Sequence, residues 1–307
     1  MRTREGEVEP FVNLAEITEV QLIILKRMRE FTIGEHSSLF HGTGFDFVGL
    51  REWQAGDRFE TIDWPQSTLT NFSPLIVREF EQPTTSGVMI VADQSLSTRC
   101  GVEGIPIAVT IARAIATIGM SAVFFQDSIG LITFDDGFRH LRGLRPRIGK
   151  GQVIQALEAY QHGTHLEDLR QTGNLSGSIA GFMRKTSLVP VISDFLFDDT
   201  RSVLKELAEL NNFHDVFVTM VDASFAFELP RVSAGWVEAF DVETGRARVM
   251  ARGELQRMAS RVKEWQDEVA QQAKDLDLDV LRLELDQGRF DVALLEWVAE
   301  RRLRRKK

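Results

Sequence analysis

The sequence predicts an α/β fold, a doubly wound and mostly parallel sheet with helices on both faces. Three observations lead to this prediction. Short apolar segments alternate with longer segments that have a helical period. Two of the short segments, residues 87–92 and 188–192, are apolar or small at every position, which is typical of strands covered on both faces. Segments rich in turn residues, such as 82–87 and 135–137, separate these elements.

The N-terminal part of the chain has a different pattern. Apolar residues recur at helical spacing over residues 14–31, which predicts a first helix. Residues 32–83 contain many aromatic, charged and turn residues without a helical period, and 75–81 is predicted to be a strand. We therefore expect residues 1–86 to form a helix and a small β-rich module, and residues 87–307 to form the α/β domain.

The α/β domain is predicted to alternate strands and helices along its length. The predicted strands are residues 87–93, 129–134, 138–141, 188–194, 215–221 and 278–283. The predicted helices are residues 104–120, 150–160, 165–184, 199–211 and 252–275, with a final helix from about residue 290. A small hairpin is predicted as an insertion near 235–250, because a Glu-Thr-Gly turn separates two apolar segments.

Composition excludes several classes of function. The chain has 307 residues and a formal net charge of −9, so we expect no general nucleic-acid-binding surface. The single cysteine, Cys100, cannot form an internal disulfide, which fits a reducing compartment. No apolar run approaches the roughly 20 residues that span a bilayer, and no signal peptide is evident. We expect a cytoplasmic protein without a transmembrane segment.

The most informative segment is the end of the predicted strand 87–93. The strand ends at Asp93, and Ser95 and Ser97 follow at alternating positions. Mg²⁺ prefers oxygen ligands in near-octahedral geometry, and this turn offers three oxygen-bearing side chains. In open α/β sheets, ligands bind at the carboxyl ends of the strands. The segment therefore predicts a metal site, although Asp and Ser also cap helices, and a helix is predicted to follow.

Two further segments are predicted to reach the same edge of the sheet. Thr164 lies in a loop between two predicted helices, and Asp194 ends the predicted strand 188–194. Together with Asp93, Ser95 and Ser97 they could bind one hard cation, Mg²⁺ or Mn²⁺, with waters or a partner completing the coordination. The alternative is that Thr164 caps a helix and that Asp194 caps the helix at 199–211.

The pattern Asp-x-Ser-x-Ser, a later Thr and a later Asp resembles the metal-ion-dependent adhesion site (MIDAS) of von Willebrand factor A domains. The order of the predicted elements is also similar to that fold. The resemblance implies that Ser95, Ser97 and Thr164 bind Mg²⁺, with Asp93 and Asp194 acting mainly through water. It also implies that an acidic side chain of a protein partner or client completes the coordination.

A second resemblance covers nearly the whole chain from about residue 34. The segments 42–57 and 62–64, together with 76–81 and 192–195, resemble the family called domain of unknown function 58. Members resemble von Willebrand A proteins encoded beside MoxR-type AAA+ ATPases. The resemblance implies a partner or adaptor of such an ATPase in complex maturation or chaperone-like remodelling.

Two functional classes follow from these residues. The first is a non-enzymatic, Mg²⁺-dependent protein-interaction module. The alternative is a metal-dependent hydrolase or phosphotransferase that uses Asp93 as nucleophile or ligand. Aspartyl-phosphate enzymes of the haloacid-dehalogenase type have a second Asp two residues later, where Ser95 stands here, and the sequence contains no phosphate-binding Gly-Lys-Ser/Thr loop. These observations favour the interaction module.

Overall fold

A computed structural model describes most of the chain. The described residues are 10–33, 46–54, 57, 59, 62–81, 87–102, 105–135, 138, 140–170, 174–183, 186–224, 236–240, 247–283, 294 and 297. They divide into two units. The smaller unit takes in the described part of residues 26–85, and the larger unit takes in the described residues before and after that range.

The elements follow the predicted alternation of strands and helices. The helices are α1 (Leu14–Ile33), α2 (Trp64–Leu69), α3 (Ile107–Phe124), α4 (Lys150–His162), α5 (Leu175–Phe182), α6 (Thr200–Asn211) and α7 (Arg252–Asp275). The strands up to α3 are β1 (Asp46–Glu52), β2 (Ile76–Glu81), β3 (Gly87–Asp93), β4 (Gly101–Val102) and β5 (Ile105–Pro106). The later strands are β6 (Ser128–Asp135), β7 (His140–Ile148), β8 (Glu167–Asp168), β9 (Ser187–Ser193), β10 (Asp215–Val221), β11 (Trp236–Phe240), β12 (Ala247–Ala251) and β13 (Asp279–Leu283).

The larger unit is built on a seven-stranded sheet in the order β13-β10-β9-β3-β6-β7-β8. The five strands from β13 to β6 are parallel, whereas β7 and β8 continue the sheet in antiparallel pairs. This confirms the predicted α/β class and the mostly parallel sheet. The predicted hairpin near 235–250 corresponds to the antiparallel pair β11-β12.

Helices cover the sheet on both faces. A core cluster joins Met89 and Val91 of β3 to residues of α5, α6 and α7, for example Leu207. Because side chains alternate along a strand, the intervening Val88 and Ile90 point to the opposite face. Ile90 is fully buried there, and α3 contacts β3 and packs against α4. Burial on both faces explains why the sequence of β3 is continuously apolar.

The smaller unit contains an antiparallel pair of strands, β1 and β2, and the short helix α2. Asp63 caps α2, since its carboxylate accepts a hydrogen bond from Gln66 N at 3.2 Å. Arg51 donates two hydrogen bonds to Asp57, at 2.6 and 2.7 Å. These bonds lower the pKa of Asp57 to about 2. The charged residues of this segment therefore hold together the turn that follows β1.

The predictions differ from the structure between α4 and β9. A helix over 165–184 is wrong, because Gly163 ends α4 in the left-handed conformation and residues 167–168 pair with β7 as strand β8. Among the described residues of this range, Leu175–Phe182 is the helical part, with Asn174 as its N-cap. Strand β7 extends to Ile148, beyond the predicted residues 138–141, because it pairs with β6 over most of the length of β6. The segment from 290 onward lies outside the described residues except for 294 and 297.

Helix α3 is long, apolar and mostly buried. By length and composition its 18 residues could cross a membrane, but 78% of that segment is buried inside the structure. Ile107, Ile111 and Ile115 are fully buried on it. The same composition is typical of a core helix packed between a sheet and a second helix, as α3 is packed here.

The packing of α3 predicts that Ile115→Ala lowers the free energy of unfolding by about 2–5 kcal/mol, because it leaves a cavity in a dense core. Ile148→Ala is the matched control, since Ile148 is 59% exposed, and we expect it to cost less than about 1 kcal/mol. Urea denaturation of both variants tests this. Equal losses of stability would show that α3 does not pack as described.

Candidate metal centre

The order of the strands places two acidic residues at one edge of the sheet. Strand β3 lies between β9 and β6 and runs parallel to both. The chain passes from β3 through α3 to β6 on one side, and later returns to β9 on the other side of β3. β3 is thus the point where the strand order reverses, which is where α/β sheets bind ligands. Asp93 ends β3, and Asp194 directly follows β9.

Asp93 is fully buried and fixed by hydrogen bonds to both of its oxygens. Oδ1 accepts a hydrogen bond from Ser95 N at 2.8 Å, and Oδ2 accepts one from Ser193 Oγ at 2.5 Å. Burial raises the pKa of Asp93, while its bonds to Ser193 and Ser95 oppose the rise. The carboxylate therefore has a set position under the loop of residues 93–99, which we call the Asp93 loop.

Ser193 was not among the predicted site residues. It is the last residue of β9 and is fully buried. Its hydroxyl donates to Asp93 and accepts a hydrogen bond from Phe195 N at 2.8 Å. Ser193 thus joins the ends of β3 and β9 directly. Ser193 directly precedes the predicted residue Asp194. The sequence of β9 alone does not show that the Ser193 hydroxyl contacts a residue of the neighbouring strand β3.

Ser95 and Ser97 bring their hydroxyls together on the Asp93 loop. Their Oγ atoms lie 3.0 Å apart, so that one can donate a hydrogen bond to the other. Two oxygens in adjacent positions of an octahedron around Mg²⁺ are separated by about 3.0 Å, given metal–oxygen distances near 2.1 Å. The same separation therefore suits a shared ion. Thr98 supports the loop, since its hydroxyl donates to Ser95 O at 2.7 Å.

Asp194 is the least satisfied polar group of the site. Oδ1 accepts a hydrogen bond from Leu196 N at 3.0 Å, whereas Oδ2 is buried and has no hydrogen-bond partner. Burial, followed by the charge of Asp93, raises the pKa of Asp194 to about 7. The nearby Ser97 hydroxyl opposes this rise in pKa, although it makes no hydrogen bond to Oδ2. A cation would compensate the buried charge.

A buried amide on α7 holds the backbone of this edge in place. Gln266 is 3% exposed. Its Nε2 donates to Asp194 O at 2.9 Å and to Val221 O at 2.8 Å. Its Oε1 accepts a hydrogen bond from Ala223 N at 3.3 Å. The ends of β9 and β10 are therefore tied to α7 through one side chain.

Thr164 is the predicted residue that the structure does not connect to the others. It is exposed on the loop after α4 and, within the described residues, makes no hydrogen bond to the rest of the predicted set. The end of α4 does lie beside the Asp93 loop, because Tyr160 donates to Asp93 O at 2.8 Å. Neither capping alternative holds, since Asn174 caps α5 and α6 begins after Asp199. Metal ligation by Thr164 stays a prediction.

The residues present fit a hard divalent cation. Two buried carboxylates with raised pKa values lie beside two hydroxyls, and one carboxylate oxygen has no partner. Among the described residues no group of three or more His, Cys, Asp or Glu is placed to hold a metal. The predicted set is of another kind, with two carboxylates and three hydroxyls, and oxygen donors of this type suit Mg²⁺ or Mn²⁺ rather than zinc.

Comparison with known proteins identifies the family. The model of the family described as "Protein of unknown function DUF58" matches residues 49–274. The chain therefore belongs to this family, as the sequence resemblance indicated. The match spans β3, the Asp93 loop and β9, and so includes the whole predicted metal set. A search of the curated proteins finds no match.

The raised pKa of Asp194 predicts a pH-dependent stability when metal is chelated. The folded protein keeps this proton up to about pH 7, whereas the unfolded chain loses it near pH 4. Between these values the folded state binds more protons, so the free energy of unfolding falls as pH rises, by up to about 1.4 kcal/mol per pH unit. Asp194→Asn lacks the contribution of Asp194, so its free energy of unfolding falls less steeply as pH rises. Urea denaturation of both proteins from about pH 4 to 8 tests it, and parallel pH profiles would contradict it.

The contacts of Gln266 predict that Gln266→Leu lowers the free energy of unfolding by about 2–5 kcal/mol, because buried carbonyls of β9 and β10 lose their donor. Gln271→Leu on the same helix is the control. Gln271 is exposed and bonds Asp275 at 2.8 Å, so its replacement is expected to cost less than about 0.5 kcal/mol. Chemical denaturation measures both. Similar values for the two variants would contradict the structural role of Gln266.

Proposed function

We propose that the protein is a non-enzymatic, Mg²⁺-dependent interaction module of the von Willebrand factor A type. The observation that carries this proposal is the buried carboxylate pair, Asp93 and Asp194, beside the adjacent hydroxyls of Ser95 and Ser97. The parallel sheet with its order reversal at β3 supports the fold assignment. A bound Mg²⁺ would supply a positive charge with one coordination position open to an acidic side chain of a partner.

The residues have different parts in this proposal. The hydroxyls of Ser95 and Ser97 would bind the ion directly, and Thr164 would join them if its loop moved toward the edge. Asp93, which is held by Ser95 N and Ser193, would orient the loop and balance the charge of the ion. Asp194 Oδ2, buried without a hydrogen-bond partner, would accept from a water bound to the ion. Mn²⁺ would suit the same oxygens.

We further propose that the partner is a MoxR-type AAA+ ATPase, with a client protein whose acidic residue completes the metal coordination. The family resemblance supports this part of the proposal, together with the acidic-residue recognition that such a metal site implies. The partnership would serve the maturation or remodelling of protein complexes in the cytoplasm. A dehydrated cation facing a carboxylate makes a strong and directional contact, so the ion would control both affinity and specificity.

The structure gives less support to the alternative of a hydrolase or phosphotransferase. A nucleophilic carboxylate needs an oxygen that can reach its substrate. Asp93 is fully buried, and both of its oxygens accept hydrogen bonds from the protein. Ser95, two residues later, cannot serve as a general acid near neutral pH. The geometry therefore favours a structural carboxylate at this position.

The proposal predicts that Mg²⁺ stabilises the protein against unfolding, by about 1.4 kcal/mol at a concentration ten times the Kd. Replacing both hydroxyls in Ser95→Ala/Ser97→Ala abolishes this effect and also the Mg²⁺-dependent capture of a MoxR-type ATPase. Ser202→Ala is the control, because Ser202 is exposed on α6 and is not a member of the predicted metal set. Thermal unfolding and affinity capture, each with Mg²⁺ or with chelator, make the measurement.

Two results would overturn the proposal. Unchanged capture by the double variant would place the interface elsewhere on the chain. Mg²⁺-dependent phosphate release from a generic phosphomonoester, lost in Asp93→Asn, would instead establish the enzymatic alternative. The double variant keeps the buried contacts of Asp93 with Ser95 N and Ser193, so it is expected to fold.

A further inference from the structure

A cavity of about 580 Å³ opens beside the Asp93 loop. Gln94 and Thr98 of the loop form one wall, and Tyr160 and Gly163 at the end of α4 form another. Phe11, which is half-buried, contributes an apolar surface. This volume lies in the range of pockets that bind small organic molecules, which combine apolar walls with a few polar groups.

Among the described residues, the charged side chains that line the cavity have a positive balance. Arg99 and Arg142 both line it, and Asp135 is the one acidic residue among the lining residues that the structure describes. Asp135 lies 3.0 Å from His140, which also lines the cavity. Asp135 thus has its own partner within the cavity wall. Two guanidinium groups remain for a ligand in a protein whose net charge is −9.

Arg142 is held in place before any ligand binds. Its guanidinium donates to Gly163 O at 2.9 Å, so the left-handed turn after α4 fixes its position. Its Nε lies 3.7 Å from Asp168, but the side chain of Asp168 is 93% exposed. Exposed ion pairs of this kind contribute little binding energy, so Asp168 leaves most of the charge of Arg142 available to a ligand. A positioned guanidinium loses less entropy on binding an anion.

Arg99 has no ion pair within the described residues, and it is exposed at the end of the Asp93 loop. Ala108, in the first turn of α3, lies in the same cavity wall. The first turn of a helix adds backbone N–H groups and a partial positive charge. The cavity therefore combines two guanidinium groups with a helix start, around a volume that a small molecule would fill.

We propose that this cavity, which we call the arginine pocket, binds a small organic anion through a phosphate or carboxylate group. Arginine side chains bind both groups with paired, charge-assisted hydrogen bonds. The apolar side of the pocket, with Phe11, would hold the rest of the molecule. This function is separate from the metal site and does not depend on Mg²⁺. Because the Asp93 loop forms one wall, the bound anion would contact the loop that carries Ser95 and Ser97.

The test uses the full chain with chelator present, so that it is independent of the metal proposal. Inorganic phosphate and succinate are titrated separately at constant ionic strength, by calorimetry and by NMR. We expect binding of at least one probe, with shifts of the Ala108 and Gly163 amide signals. Arg99→Gln weakens that binding about ten-fold or more, since each charge-assisted contact is worth at least that factor. Arg201→Gln, an exposed arginine on α6, leaves it unchanged.

The two probes also distinguish the class of ligand. Binding of phosphate alone assigns a phosphorylated ligand, and binding of succinate alone assigns a carboxylate ligand. Arg142→Gln is a second variant, for which we expect the same loss of binding affinity. If Arg142→Gln unfolds because it loses the contact with Gly163, Arg99→Gln alone tests the proposal. The proposal is wrong if neither probe binds, or if Arg201→Gln and Arg99→Gln weaken binding equally.

Discussion

The burial of two carboxylates side by side at one edge of the sheet is the constraint on which the site depends. Removing such groups from water is costly unless hydrogen bonds or opposite charges compensate. Asp93 receives its compensation from Ser95 N and the Ser193 hydroxyl. Asp194 receives one hydrogen bond, and its pKa rises to about 7. A hard cation at this edge would neutralise the buried charge of the two carboxylates.

This arrangement requires a rigid frame, and the larger unit supplies it. The central strands β3 and β9 are covered on both faces, so the positions of their ends are set by a dense core. Ser193 links the two strand ends directly, and Gln266 links β9 and β10 to α7. The hydroxyl pair of Ser95 and Ser97 thus lies on a loop whose base is positioned by packing and hydrogen bonds.

The proposed metal site and the arginine pocket have opposite charge and share the Asp93 loop. Gln94 and Thr98 line the pocket, while Ser95 and Ser97 belong to the metal set. A ligand in the arginine pocket would therefore contact the Asp93 loop, which positions the hydroxyls of Ser95 and Ser97. Since linkage is reciprocal, binding at either place would alter affinity at the other whenever it changes the conformation of the loop. The membership of the chain in the DUF58 family assigns no function to either place.

The sequence by itself determined the α/β class, the bounds of β3 and β10, and the nearness of Asp93, Ser95 and Ser97, because apolar runs and turns are local signals. It also indicated that Asp194 lies at the same edge of the sheet as Asp93, since the carboxyl ends of parallel strands meet at one edge. The tertiary structure alone decided that Ser193 donates a hydrogen bond to Asp93 and that Gln266 donates to the ends of β9 and β10. It also showed that residues 167–168 extend the sheet. These contacts join residues far apart in the chain, and their partners depend on strand order and packing, which no local pattern encodes.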